Sequence, residues 1–309
     1  MATEKKCPKI AVILPCFNEQ EAIGTVVNTF SKSLPSCEVH VFDNASTDDT
    51  ALEAKNNGAI VHRVDKKGKG HVVQAMFRDI NADYYIMADG DGTYPAEMSG
   101  KLLDSLIQQN ADMVVGNRLP TYVDSDSRKG HLVGNRIITK TVNYLFDSNI
   151  QDLLSGYRVM TRSFVKSIPL FSRGFEVETA ISIHAIEIGA KVLEIPISYS
   201  SRAEGTSSKL NTASDGTRIG WEIFKLYKDH KPIVVYGSFA LSFWFASILI
   251  GFPVILEYIE SGLVPRFPSA ILAVGLMVLS FLFGFTGIIL SAISKSRREI
   301  KKLAFIAVK

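Results

Sequence analysis

Two uncharged runs, Ile233–Leu256 and Phe267–Ser294, set the tightest limit on what this chain can fold into. Each exceeds the about 20 apolar residues that carry a helix across a bilayer, and uncharged runs of that length are rare in soluble folds. The segment between them, EYIESGLVPRF, is too short for a domain, so the two runs read as a membrane hairpin. Lys225, Lys228 and Lys231 precede the first run, and Lys295, Arg297, Arg298, Lys301 and Lys302 follow the second, whereas the connecting loop holds only Arg266. The positive-inside bias then places both flanks, and everything N-terminal to them, on the cytosolic side.

Charge follows the same division. Residues 215–309 hold 11 of the 34 Lys and Arg but only 6 of the 31 Asp and Glu. A basic second part with few acids points to an anionic membrane surface rather than to nucleic acid. Just before the first span, in DGTRIGWEIFKLYKDHKP, Ile219, Ile223, Leu226 and Tyr227 share a helical face and are interleaved with Arg218, Lys225 and Lys228, the pattern of an interfacial amphipathic helix. Cys7, Cys16 and Cys37 lack any C-x-x-C spacing and read as small apolar residues in a reducing compartment. The N-terminal apolar run is stopped by Pro15, too soon for a signal-peptide core, and suits a first strand. These readings divide the chain into a cytosolic domain over residues 1–212, a juxtamembrane helix over 213–232, a hairpin over 233–294 with spans near 233–256 and 267–294, and a basic tail over 295–309.

The first part alternates strand and helix signals. KIAVILP, CEVHVFD, AIVHRV, YYIMAD and ADMVVGN read as strands; helical patterns follow from Glu19, across NASTDDTALEAKNNG with Gly58 at its end, and from about Gly70 to Ile80. Such alternation means a mostly parallel sheet with helices on both faces, and ligands bind beyond the carboxyl ends of its strands. The candidates at those ends are Pro15, Asn18 and Glu19; Asp43 and Asn44; Asp89 and Asp91; Asn117 and Arg118. No G-x-G-x-x-G follows the first strand, and KKGKGH lacks the ending of a P-loop. An EF-hand starting at Asp89 fails at Tyr94 and Gly100, and the six histidines are scattered.

In MADGDGTYP, Asp89 and Asp91 end a buried strand one residue apart, and like charges that close need a positive partner. In an extended segment both side chains point the same way. The pair suits a hard divalent cation, Mg²⁺ or Mn²⁺, able to neutralise a diphosphate leaving group. The alternative for the pair is a turn and a helix cap.

With these segments in order, the chain resembles the family-two glycosyltransferases of GT-A fold through VILPCFNE, VFDNASTDDT, KGKGHVVQAMF and MADGDGTYP. VVGNR, GNRIITKTVNYLF, QDLLSGYRV, the stretch from Gly174 to Leu210 and the hairpin narrow the resemblance to the polyprenyl-phosphate glycosyltransferases, the group that includes dolichyl-phosphate mannose synthase. The fold so implied is an α/β GT-A nucleotide-sugar-binding domain followed by an amphipathic helix and a two-helix hairpin. The resemblance implies that Pro15, Glu19 and Asp43 contact the nucleoside, that Lys69 and Gly70 lie near the nucleotide, and that Asp89 and Asp91 hold metal and diphosphate. It further implies that Arg118, Arg136 and Arg202 engage phosphate near the acceptor and that Asp152 stands close to the reacting centre. Lys209 serves either the acceptor phosphate or lipid headgroups. Related synthases often have Gln two residues after the second Asp; here it is Thr93, a poorer metal ligand. Asp48 and Asp49 read as helix-start charges, Glu176 and Glu178 as either solvated helix-start residues or site residues, and Arg158 has Asp152 as one available partner.

The implied reaction moves one sugar, glucose or N-acetylglucosamine from UDP, to undecaprenyl or dolichyl phosphate with inversion at the anomeric carbon. The partners are a nucleotide sugar, a polyprenyl phosphate and the cell membrane, with the catalytic part cytosolic; a homo-oligomer through the hairpin stays open. A processive polysaccharide synthase would carry Q-x-x-R-W and more spans. A membrane-anchored nucleotidyltransferase or an inactive scaffold are the other readings.

Overall fold

The computed structural model describes residues 7–119, 129–169, 177–198, 221, 224–225 and 227–308, with side chains after residue 119 beginning at Gly134. The chain divides into one unit of Met1–Asn211 with Ile300–Lys309 and a second of Thr212–Glu299.

In the first unit, β1 (Ile10–Cys16) leads to α1 (Gln20–Ser33), β2 (Cys37–Asp43) to α2 (Thr50–Asn56), β3 (Ile60–Arg63) to α3 (Lys69–Asp79), and β4 (Tyr84–Met87) through a short turn to α4 (Ser99–Gln108). Then come β5 (Met113–Asn117), α5 (Lys129–Phe146), β6 (Arg158–Thr161), α6 (Arg162–Ser167), α7 (Val177–Ile188) and β7 (Val192–Pro196). The sheet runs β3-β2-β1-β4-β6-β5-β7, with β6 antiparallel to both neighbours and every other pairing parallel.

Period two along β1 feeds two cores. Val12, Leu14 and Cys16 pack with Ile23, Val27 and Phe30 of α1 and with Leu102 and Leu106 of α4. Ala11 and Ile13 pack on the other face with Val72 and Met76 of α3, Phe164 of α6 and Ile181 of α7. A strand buried on both faces reads as an unbroken apolar run, which is why IAVILPC does not alternate with polar residues. Pro15 is tolerated in this central strand because its missing N–H falls on the β4 side, and β4 has stopped pairing at Ile13↔Met87. The sequence reading of Gly58 as a helix stop holds: it sits at φ +92°, and the amides of Gly58 and Ala59 bond back to the carbonyls of Lys55 and Ala54.

β2 lies on one side of β1 and β4 on the other, so chain order reverses at β1/β4 and a crevice opens there at the carboxyl edge. β1, β2, β4 and β5 all end on that edge, and antiparallel β6 begins on it.

The second unit contains α8 (Pro232–Ser261) and most of α9 (Phe267–Val308), both long and apolar enough to cross a membrane. Their apolar side chains face outward, with Leu249 78% and Ile259 71% exposed, unlike the core helices of a soluble protein. Pro232 opens α8, and Gly262 at φ +69° closes it with its amide on the Tyr258 carbonyl. The pair is pinned by Ser247 donating to the Ala273 carbonyl at 2.7 Å and Ser280 to the Ala240 carbonyl at 2.8 Å. Of the expected amphipathic helix, Trp221, Phe224, Lys225 and residues 227–230 are helical; the rest before Lys231 lies outside the described residues. Through the expected basic tail α9 continues to Val308, and Ile300–Lys309 joins the first unit. Phe305 is 6% exposed in the core beside α7, and Lys301 Nζ lies 2.6 Å from the buried Glu187 carboxylate.

Candidate active site

The loops after β1 and β2 interlock. Asn18, at φ +56°, receives the Thr47 amide on its Oδ1 at 2.8 Å and donates its own amide to Ser46 Oγ at 3.0 Å. The Glu19 amide donates to Thr50 Oγ1 at 2.8 Å. Asp48, read as a helix-start charge, accepts the Thr50 and Gln20 amides. Asp43 is 5% exposed and accepts the Ser46 amide at 3.3 Å. Asn44 ties residues 64–68 to this edge through the Val64 and Lys66 carbonyls and the Gly68 amide. Gly68, at φ +120°, then turns the chain into α3, which begins with Lys69 and the buried Gly70. Pro15, Glu19, Asp43, Lys69 and Gly70 thus all stand on or beside the sheet edge, carried by three interlocked loops.

Asp89-Gly90-Asp91 follows β4. A side chain at Gly90 would run into the Cys16 sulfur, and one at Gly156 would come within 2.9 Å of Asp89 Oδ2, so the backbone closes on this segment from both sides. Lys69 Nζ lies 2.6 Å from Asp89 Oδ1 and 2.6 Å from Glu178 Oε1. Burial alone would lower the Lys69 ammonium, but the two carboxylates outweigh it and hold it well above the ordinary lysine value. Lys69 is thus the positive partner of Asp89, the first of the two close aspartates. Glu178 is 5% exposed at the start of α7, which excludes the solvated alternative for it; Glu176 lies outside the described residues.

Asp91 is 7% exposed, and its Oδ1 accepts both the amide (3.2 Å) and the hydroxyl (2.7 Å) of Thr93. Thr93 therefore orients a carboxylate. Among the described residues no three His, Cys, Asp or Glu side chains converge. Two carboxylates on a buried, backbone-crowded turn fit Mg²⁺ or Mn²⁺, which are commonly held by one or two carboxylates with water and substrate phosphates completing the shell.

Arg118, just past β5, meets Asp152. Its amide and Nε lie 3.0 and 2.8 Å from Asp152 Oδ2, and its Nη2 lies 2.9 Å from Oδ1. Asn135 of α5 adds Nδ2 at 3.3 Å to Oδ1. Burial pushes the Asp152 carboxyl up, but the Arg118 guanidinium outweighs it and holds the group below the usual aspartate value. Asp152 is fully buried. Its own turn is fastened on every side: Glu194 of β7 accepts the Gln151 and Asp152 amides, Ser155 Oγ donates to the Gly116 carbonyl, and Tyr94 OH accepts the Gly156 amide. The partner offered above for Arg158 is corrected: this fully buried guanidinium donates to the Leu153 and Ser155 carbonyls. Burial lowers it to about 10, so it stays charged at neutral pH and braces the turn.

The edge therefore gathers Asp43, Lys69, Asp89, Asp91, Arg118 and Asp152. It does not gather Arg136, which is exposed on α5, while its neighbour Asn135 faces Asp152. Arg202 and Lys209 lie outside the described residues. Tyr94, Asn135 and Glu194 were missed from sequence. Glu194 sits in KVLEIP as the one acid, three residues after Lys191, which reads as the solvent side of an edge strand. Asn135 in GNRIITK carries the one usable signal, a polar residue on the apolar face of a helix.

The sequence profile of glycosyl transferase family 2 matches residues 11–168. Glycosyltransferase AglJ of Haloferax volcanii is 32% identical over 276 residues, covering 89% of this chain and 89% of its own. The polyprenol monophosphomannose synthase of Mycolicibacterium smegmatis is 27% identical over 242 residues, covering 73% of this chain and 88% of its own. Among solved structures, glucosyl-3-phosphoglycerate synthase from Mycobacterium tuberculosis, in complex with Mn²⁺ and UDP-glucose, superposes with a TM-score of 0.58 at 20% identity over 72% of this chain and 79% of its own. That likeness identifies the fold as GT-A.

Proposed function

The chain belongs to glycosyl transferase family 2, and from that premise we propose that it transfers one sugar from a nucleotide diphosphate to a polyprenyl phosphate at the cytosolic face of the cell membrane. The observation that carries the reading is the single sheet edge that collects Asp89, Asp91 and Lys69 on one side and the Arg118–Asp152 pair on the other, in a chain that also has two membrane-length apolar helices. Asp89 and Asp91 would hold the cation; when bound, it offsets the charge that develops on the departing diphosphate. Asp43, Glu19 and Pro15 are proposed for the nucleoside, and Arg118, Arg202 and Lys209 for the acceptor phosphate, whereas Arg136, exposed on α5 and away from the edge, is left out of that set.

A polyprenyl phosphate is already anionic near neutral pH, so its oxygen needs little help from a base to attack the anomeric carbon with inversion. Asp152 suits that picture, because both its oxygens accept N–H groups of Arg118. It holds the guanidinium in place rather than drawing a proton, with Nη1 3.5 Å from Tyr94 OH, and a planar guanidinium fork is suited to phosphate. Lys69, shared by Asp89 and Glu178, keeps positive charge where the diphosphate would lie.

Membranes containing the protein, supplied with labelled UDP-glucose, UDP-N-acetylglucosamine or GDP-mannose and with a polyprenyl phosphate, should move one label into the lipid extract. We favour the two UDP-sugars; the mannose arm is included because one similar protein makes polyprenol monophosphomannose. The corresponding free polyprenol should remain unlabelled. Equal labelling of the free alcohol would exclude a lipid-phosphate acceptor.

Topology is tested separately. Ser261→Cys, near the exposed end of α8, should react with an impermeant thiol reagent added outside intact cells when Cys7 and Cys37 are replaced and Cys16 stays buried. Labelling of Ser207→Cys from outside, with Ser261→Cys protected, would reverse the orientation.

A further inference from the structure

We infer that Glu194 is a positioning residue, which sets the guanidinium of Arg118 by clamping the backbone of Gln151 and Asp152. For its kinetic readout the inference rests on the acceptor-phosphate reading above. β7 pairs in parallel with β5, Glu194 opposite Val115, and its neighbours Leu193 and Ile195 turn the other way into the core beside α1 and α4. That alternation aims the Glu194 side chain at a turn 43 residues earlier in the chain, where Oε2 accepts the Gln151 amide at 2.8 Å and Oε1 the Asp152 amide at 2.9 Å. Both oxygens are thus spent on two consecutive N–H groups, a fit that fixes the direction in which the Asp152 side chain leaves the backbone. Asp152 passes the constraint on through three N–H contacts from Arg118.

The neighbouring part of the turn is held by other means. Arg158 holds the carbonyls of Leu153 and Ser155, Ser155 holds the Gly116 carbonyl, and Tyr94 holds the Gly156 amide. Removing the Glu194 carboxylate therefore loosens only the two residues that aim Arg118, while residues 153–156 stay fastened. A shift of about 1 Å in a group that orients a reacting phosphate is enough to slow transfer by up to about a hundredfold. Lys69, Asp89 and Asp91 lie outside this chain of contacts, so donor binding should be spared.

The experiment compares Glu194→Gln and Glu194→Ala with wild type in the full-length membrane protein. Glu194→Gln keeps one acceptor oxygen but turns an NH₂ toward the second amide. Both variants should raise the KM for polyprenyl phosphate by roughly tenfold or more, Ala more than Gln, with the affinity for UDP by calorimetry within about twofold of wild type. An unchanged acceptor KM, or equal losses for donor and acceptor, would overturn the inference. If wild type transfers nothing to polyprenyl phosphate, the functional reading fails first, and thermal unfolding decides the inference instead. The double variant of Glu194→Gln with Arg118→Gln should then lose clearly less stability than the two single losses combined. Additive losses would show that Glu194 does not act through Arg118.

Discussion

Asp91→Asn should abolish sugar transfer, with a fall in kcat/KM of at least about a thousandfold, while the protein unfolds at nearly the wild-type temperature. The two halves of this expectation come from the two oxygens. Oδ1 of Asp91 accepts the Thr93 amide and hydroxyl, and the carbonyl oxygen of asparagine can keep both bonds. The turn that packs against Cys16 and Gly156 therefore survives. What is lost is the negative charge, and with it the second of the two carboxylates proposed for the cation. Calorimetry with UDP in the presence of Mn²⁺ should show donor binding much weakened in the variant, and chelation should bring wild type to the same level. Full wild-type activity in excess EDTA would remove the cation from the proposal. Thr93→Val should be milder, because it deletes the hydroxyl contact at 2.7 Å but keeps the amide contact at 3.2 Å.

Asp152→Ala should have the largest effect on stability, about 3–5 kcal/mol, together with most of the activity. Asp152 is fully buried and the Arg118 side chain is 13% exposed, so truncation leaves a largely buried guanidinium without its counter-charge. Asp152→Asn fills the same volume and should cost less, yet it cannot accept at both oxygens. The pH dependence has a definite sign. The folded Asp152 carboxyl lies below its ordinary value because the Arg118 guanidinium outweighs the effect of burial. Its contribution is fully present above the ordinary aspartate pKa of about 3.9 and is lost as pH falls through the folded value. Thermal unfolding of wild type should therefore steepen below about pH 4, and Asp152→Asn should flatten that acid limb. An acid limb identical in the two proteins would show that the pair carries little of the linkage.

Where the sequence reading succeeded, the physics was local. CEVHVFD is β2 residue for residue, the helix stop at Gly58 is a turn that needs positive φ, and the apolar runs at 233–256 and 267–294 lie within α8 and α9. Each of these depends on propensity, period or a backbone angle fixed by neighbours a few residues away. Asp89 and Asp91 were legible for the same reason, as two charges set where a buried strand stops. β6 and β7 were not read as strands. β6 runs against its neighbours, and its pairing follows from the return of the chain after α5, which no short window contains. The basic tail was legible by its charges, but the burial of Phe305 beside α7 becomes visible only once α7 is in place.

The sequence alone determined a mostly parallel α/β sheet with its ligand edge, an acidic pair at that edge, and a hairpin of membrane length, because hydrophobic period, turn chemistry and run length are properties of neighbouring residues. Tertiary structure decided which charges meet. Lys69 finds Asp89 and Glu178 across three elements, Arg118 finds Asp152, and Asp152 is aimed by Glu194. Contacts of this kind join residues tens of positions apart, and whether a carboxylate there is a solvated surface charge or a buried partner depends on which backbone the sheet order brings alongside it.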